Sequence, residues 1–152
     1  MVYHNNDSFA SVGTSSTPSD GGDLSPSANL TINFDETIVK AVNAASQAYV
    51  LIYKADGTLV EKFDVYTGQG SSGGTLYLSG SQVEVNPFKN LSGSTNYYLK
   101  IDPLAFKDLS GNYFAGIDNN TALNFTTGAA AGTDVAAPTQ SGLNFSVWPY
   151  DP

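Results

Sequence analysis

The sequence predicts an all-β protein, a sandwich of about seven short strands joined by Greek-key connections. Apolar and polar residues alternate over short segments, most clearly at 30–34 and 97–101. Turn-forming residues bound these segments, and an Asp56-Gly57 pair lies between two of them. No segment of helical length carries apolar residues at the spacing of about 3.6 residues that a helix requires.

The individual strands follow from this pattern, taken in chain order. They are predicted at 30–34, 49–53, 58–65, 76–78, 83–85, 97–101 and 123–127. The Asp-Gly pair indicates a hairpin between the second and third of them. Pro87 ends the strand at 83–85, because proline cannot donate to a ladder of backbone hydrogen bonds. Residues 41–48 are expected to form one helical turn or an irregular crossover.

Composition limits the functions that are open to the chain. Its 152 residues suffice for one domain with a core, and 41% of them are apolar. Fourteen acidic residues stand against six lysines and no arginine, which gives a net charge of −8. This charge repels nucleic-acid phosphates and anionic membranes, so neither is expected as a partner. Soluble cations remain a plausible class of ligand, Ca²⁺ in particular.

Changes in composition along the chain indicate how it is organised. Residues 1–16 are expected to be a leader or an edge strand, and residues 17–128 the folded domain. Residues 129–152 begin with an Ala/Gly-rich stretch, which is typical of a linker. An alternating segment at 143–148 follows, so this region is predicted to be a linker with a terminal strand or the start of a next module.

The segments, in this order, resemble the bacterial immunoglobulin-like domains that occur in tandem in S-layer proteins and large surface adhesins. The resemblance lies in PSDGG (18–22), ANLTINFDE (28–36), IYKADG (52–57), VEVNP (83–87), YYLKID (97–102), FKD (106–108), GN (111–112), FAGI (114–117) and LNFTT (123–127). It implies an immunoglobulin-like β-sandwich located outside the cell or at its surface, with a non-enzymatic structural or adhesive role. The implied partners are neighbouring repeats of the same polypeptide and cell-surface glycans or proteins.

One turn-rich segment is a candidate calcium site. Asp102, Asp108, Asn112 and Asp118 lie close together in sequence, and Ca²⁺ prefers six to eight oxygen ligands from flexible loops. The spacing is not that of an EF-hand. The alternative is a tight turn in which the Asp and Asn side chains bond to their own backbone.

The residues bear on two further classes of function, sugar binding and catalysis. Trp148 and Tyr150 are candidates for an exposed aromatic platform that binds sugar rings, which would make the chain a carbohydrate-binding module. Alternatively, Trp148 packs into the sandwich or against a neighbouring module. Catalysis is not expected, because His4 is the only histidine, it lies in the predicted leader, and there is no cysteine nucleophile.

Overall fold

A computed structural model describes residues 22–129, and all regular structure in this part of the chain is β. Ten strands follow one another along it. They are β1 (Gly22–Leu24), β2 (Leu30–Asn33), β3 (Ile38–Lys40), β4 (Tyr49–Lys54), β5 (Leu59–Asp64), β6 (Thr75–Ser79), β7 (Gln82–Asn86), β8 (Asn96–Ile101), β9 (Phe106–Asp108) and β10 (Asn124–Thr127). Within residues 22–129 there is no helix long and apolar enough to cross a bilayer.

The strands form three sheets. The largest has five strands in the order β1-β10-β8-β4-β5, the second has the order β2-β7-β6, and β3 pairs with β9 alone. Every pairing is antiparallel except that of β1 with β10, which is parallel. The chain changes sheet after every strand except β4 and β6, which is why β8 lies between β4 and β10 rather than beside β7. The predicted immunoglobulin-like sandwich is confirmed.

The core lies between the sheets and is built from the inward-facing residues of the alternating strands. On β4, Val50 and Ile52 are buried, whereas Tyr49, Leu51 and Tyr53 on the opposite face are half-buried. The largest fully buried side chains are Tyr97, Phe63, Phe106, Phe125, Leu30, Ile32, Ile52, Leu99 and Ile101. Burying one such side chain contributes roughly 1.5–3 kcal/mol, so each of these residues stabilises the fold.

The predicted hairpin is present, and a second one follows it. β4 and β5 pair across the turn that contains Asp56, and the register shifts between Ile52 and Tyr53, which marks a bulge. The Asp56 carboxylate accepts a hydrogen bond from the Thr58 N–H (2.9 Å), so the aspartate closes its own turn. β6 and β7 form a second hairpin through Gly80 and Ser81.

The structure also contains elements that the sequence pattern did not predict. β1, β3 and β9 have three residues each, which is too short for an alternation to be recognised. They exist because neighbouring strands supply their hydrogen-bond partners, β10 for β1 and each other for β3 and β9. The stretch predicted as a helical turn or crossover is a turn in which the Ser46 N–H donates to the carbonyl of Asn43 (3.1 Å). Of the two predicted possibilities, this segment is therefore the irregular crossover rather than the helical turn.

Candidate functional site

The four residues of the predicted calcium site lie in three different settings. Asp108 ends β9, is only 4% exposed, and binds the turn that follows it. Its Oδ1 accepts hydrogen bonds from the N–H groups of Ser110 (2.8 Å) and Asn112 (2.9 Å), and its Oδ2 accepts one from the Asn112 side-chain amide (2.9 Å). Asp108 and Asn112 are thus brought together in one closed turn, in which the Asp108 carboxylate accepts hydrogen bonds that Asn112 donates.

The other two carboxylates have partners elsewhere. The Oδ2 of Asp102 accepts a hydrogen bond from the N–H of Tyr49 (2.9 Å), which ties the end of β8 to the start of β4. Asp118 is 92% exposed and forms an ion pair with Lys100 (3.4 Å). Within residues 22–129, no group of three or more His, Cys, Asp or Glu side chains is arranged to hold a metal. The calcium site stays a prediction.

The turn bonds perturb the ionisation of Asp108. Burial acts to raise the pKa of its carboxyl group, but hydrogen bonds from the Asn112 side chain and from the backbone of Asn112, Ser110 and Gly111 outweigh burial. The pKa therefore lies below its ordinary value of 3.8. The charged form is the one that closes the turn.

One buried carboxylate that accepts three backbone hydrogen bonds was not predicted from the sequence. Glu61 lies in the middle of β5 and is 2% exposed. Its Oε1 accepts hydrogen bonds from the N–H groups of Ser72 (3.0 Å) and Gly74 (2.8 Å), and its Oε2 accepts one from the N–H of Phe88 (2.9 Å). A buried charge is tolerated only when such bonds replace the lost water. Glu61 therefore fixes two separate loops to one strand.

Glycine allows the first of these loops to approach Glu61. A Cβ on Gly74 would lie 2.9 Å from the Oε1 of Glu61 and 2.5 Å from the backbone oxygen of Asn86. Both distances are shorter than a carbon atom tolerates, so any larger residue would displace the loop. The Gly/Ser-rich segment at 68–74 is held in place by its hydrogen bonds to Glu61.

A cleft of about 540 Å³ opens beside Glu61. One wall comes from the β4–β5 hairpin and the other from the segment that follows β7. Its lining includes Lys54, Thr58, Leu59, Phe88, Lys89 and Asn90. The only signal of this site in the sequence was the alternation along β5, which places Glu61 on the same inward face as Phe63.

The sugar-binding residues proposed from the sequence, Trp148 and Tyr150, lie outside the described residues. So do the predicted leader at 1–16 and nearly all of the predicted linker at 129–152. The predicted domain boundaries and the predicted platform therefore stay predictions.

Comparison with known proteins gives one family match. The family described as the bacterial Ig-like domain matches residues 10–127, a range that includes all ten strands. No curated protein matches the chain. Among solved structures, CopC from Methylosinus trichosporium OB3b is similar, with a TM-score of 0.48 and 12% sequence identity. That comparison covers 81% of this chain and 95% of the CopC chain.

Proposed function

Because the chain belongs to the bacterial Ig-like domain family, we propose that it is a structural and adhesive module of a bacterial surface protein. It works outside the cytoplasm, without catalysis, as one unit in a row of neighbouring repeats. The observation that carries this proposal is the parallel pairing of the first and last described strands, β1 and β10.

The parallel pair gives the domain a direction. Gly22 lies opposite Phe125, and Leu24 lies opposite Thr127, so the described part is entered and left in the same direction along the sheet. This geometry allows copies to be joined end to end, whereas antiparallel terminal strands would bring both connections to one end. The N–H of Gly128 also donates to the carbonyl of Leu24 (3.0 Å). A force applied to the two ends would shear β1 against β10, so that the hydrogen bonds between these strands would bear the force at the same time.

Stretching the protein by its two ends tests the spacer role. Tandem copies in a force spectrometer should unfold one domain at a time, each releasing roughly 3.3–3.6 Å per residue. Leu24→Ala, in β1, should lower the unfolding force more than Leu30→Ala does. Both leucines are buried, but Leu30 lies in β2, outside the loaded pair. Equal forces for the two variants would contradict the proposal.

The proposal also includes a bound calcium ion. An ion held near Asp102 and Asp118 would stiffen the segment between β8 and β10, and it would have to compete with the N–H groups that now occupy Asp108. The chemistry in its favour is the number of carboxylate and carbonyl oxygens in this segment. The proposed alternative, a carbohydrate-binding module built on Trp148 and Tyr150, concerns residues beyond the described range.

A further inference from the structure

The cleft beside Glu61 combines two lysines, an exposed phenylalanine and polar side chains in its lining. From its charges, aromatic surface and polar rim, we propose that it binds a hexuronate residue of an anionic glycan, through Lys54, Lys89 and Phe88. The spacer role is independent of this site, because β1 and β10 contribute no residue to the cleft.

The charged residues of the cleft favour an anionic ligand. The chain has six lysines and a net charge of −8, yet two of those lysines, Lys54 and Lys89, line this one cleft. Among the described residues, Glu61 supplies the one carboxylate of the lining, and it is buried and accepts hydrogen bonds from three backbone N–H groups. Two lysines thus line the cleft against one buried carboxylate, and Lys54 also interacts with Asp56 in the adjoining turn. An anion fits such a site better than a neutral or a cationic ligand.

The exposed aromatic surface of the cleft favours a sugar ring. Phe88 is 58% exposed, and Leu59 on the opposite wall is also exposed. An exposed aromatic ring offers a flat apolar face against which the C–H groups of a pyranose ring can pack. The aromatic ring of Phe88 lies directly on Gly73, where a Cβ would be 2.9 Å from Cδ1, and its N–H is held by Glu61. The platform is thus fixed before a ligand arrives, which reduces the entropy lost on binding.

Polar groups complete the lining. Asn90 and Ser92 are exposed in the cleft and offer amide and hydroxyl groups to sugar hydroxyls. The volume of about 540 Å³ lies within the range typical of small-molecule sites. In the proposed complex the hexuronate carboxylate pairs with the two lysines, one face of the ring packs on Phe88, and the hydroxyls bond to the rim.

The test uses trigalacturonate as the anionic probe and maltotriose as the neutral one, with binding followed by calorimetry and by amide NMR shifts. We expect trigalacturonate to bind and to shift the amide signals of residues 88–90, with maltotriose at least tenfold weaker. Lys54→Ala and Lys89→Ala should each weaken binding roughly fivefold, as the loss of one exposed ion pair does. Phe88→Ala should weaken it further, and added salt should reduce the lysine-dependent part.

Matched variants on other surfaces serve as controls. Lys107→Ala removes a lysine from β9, and Tyr77→Ala removes an aromatic side chain from β6 that is 66% exposed. Neither should change the affinity. The proposal is overturned if the two sugars bind equally, if neither binds at millimolar concentration, or if the control variants weaken binding as much as the cleft variants. Preferential binding of a glutamate-rich peptide over trigalacturonate would also overturn it.

Discussion

Replacing Glu61 with alanine should strongly destabilise this domain. The side chain accepts hydrogen bonds from three backbone N–H groups that belong to two loops, those of Ser72, Gly74 and Phe88. Alanine removes all three acceptors at once. The loops cannot easily move to find new ones, because β6 follows the first loop directly and β7 precedes the second.

The expected magnitude follows from the burial of each donor. The bond to the Gly74 N–H is buried, and leaving such a donor unsatisfied costs about 1–3 kcal/mol. The bonds to Ser72 and Phe88 are part-buried, so water can replace the carboxylate there, at a cost of about 0.5–1 kcal/mol each. Together these terms predict a loss of about 2–5 kcal/mol, a large share of the roughly 5–15 kcal/mol typical of a folded domain. Glu61→Gln keeps one oxygen acceptor and should fall between alanine and the wild type.

Equilibrium unfolding in urea, followed by far-ultraviolet circular dichroism, measures this loss. With an m-value of about 2 kcal/mol/M, the midpoint of Glu61→Ala should fall by roughly 1–2.5 M. Glu84→Ala is the matched control, because Glu84 is also a strand glutamate but makes one exposed bond, from the side-chain amide of Asn29 (3.0 Å). It should cost less than about 1 kcal/mol. A Glu61→Ala variant within about 0.5 kcal/mol of the wild type would refute the reasoning.

Three further predictions concern the segment between β8 and β10. The pKa of Asp108 lies below 3.8 in the folded protein, so its charged form stabilises the domain above that pH, and this stability is lost as the pH falls through the folded-state pKa. The unfolding free energies of Asp108→Asn and the wild type should therefore differ at pH 7 and converge in acid. Gly111 and Gly116 both have φ near +90°, but a Cβ meets open space at Gly111 and would lie 2.5 Å from the carbonyl oxygen of Ile101 at Gly116. Thermal unfolding should show a loss of about 1 kcal/mol for Gly111→Ala and a clearly larger one for Gly116→Ala, and equal losses would contradict the steric argument. Calcium at roughly ten times its Kd should stabilise the domain by about 1.4 kcal/mol if it binds near Asp118, and a melting temperature that calcium and EDTA leave unchanged would contradict the site.

The predictable part of the fold is the part that local sequence determines. The strands with four or more alternating residues, such as β4 and β8, were predicted to within one or two residues. The Asp56-Gly57 pair identified the hairpin because its turn is closed by local bonds. The three-residue strands depend on partners far along the chain: β1 pairs with β10, about a hundred residues later. No local pattern can reveal that.

The candidate site was less predictable for a similar reason. Glu61 joins residues 11, 13 and 27 positions further along the chain. Its inward position could have been read from the alternation that places Phe63 in the core. Its hydrogen-bond partners could not be predicted, because a backbone N–H group does not depend on the residue type and so gives no sequence signal. The cleft likewise joins a hairpin to a distant loop segment, so Lys54 and Lys89 show no relation until the chain is folded.

Glu61 and Asp108 show why an acidic, glycine-punctuated loop is an ambiguous sign of a cation site. A carboxylate that closes a turn and a carboxylate that binds calcium need the same surroundings: a short loop, little bulk nearby and oxygen atoms directed inward. In this domain the positive ends of backbone N–H dipoles occupy that position, two at the Oε1 of Glu61 and two at the Oδ1 of Asp108. An ion at either oxygen would have to displace bonds that already hold a loop in place. A cation is therefore easier to accommodate where a carboxylate is exposed and paired with a lysine, as Asp118 is with Lys100.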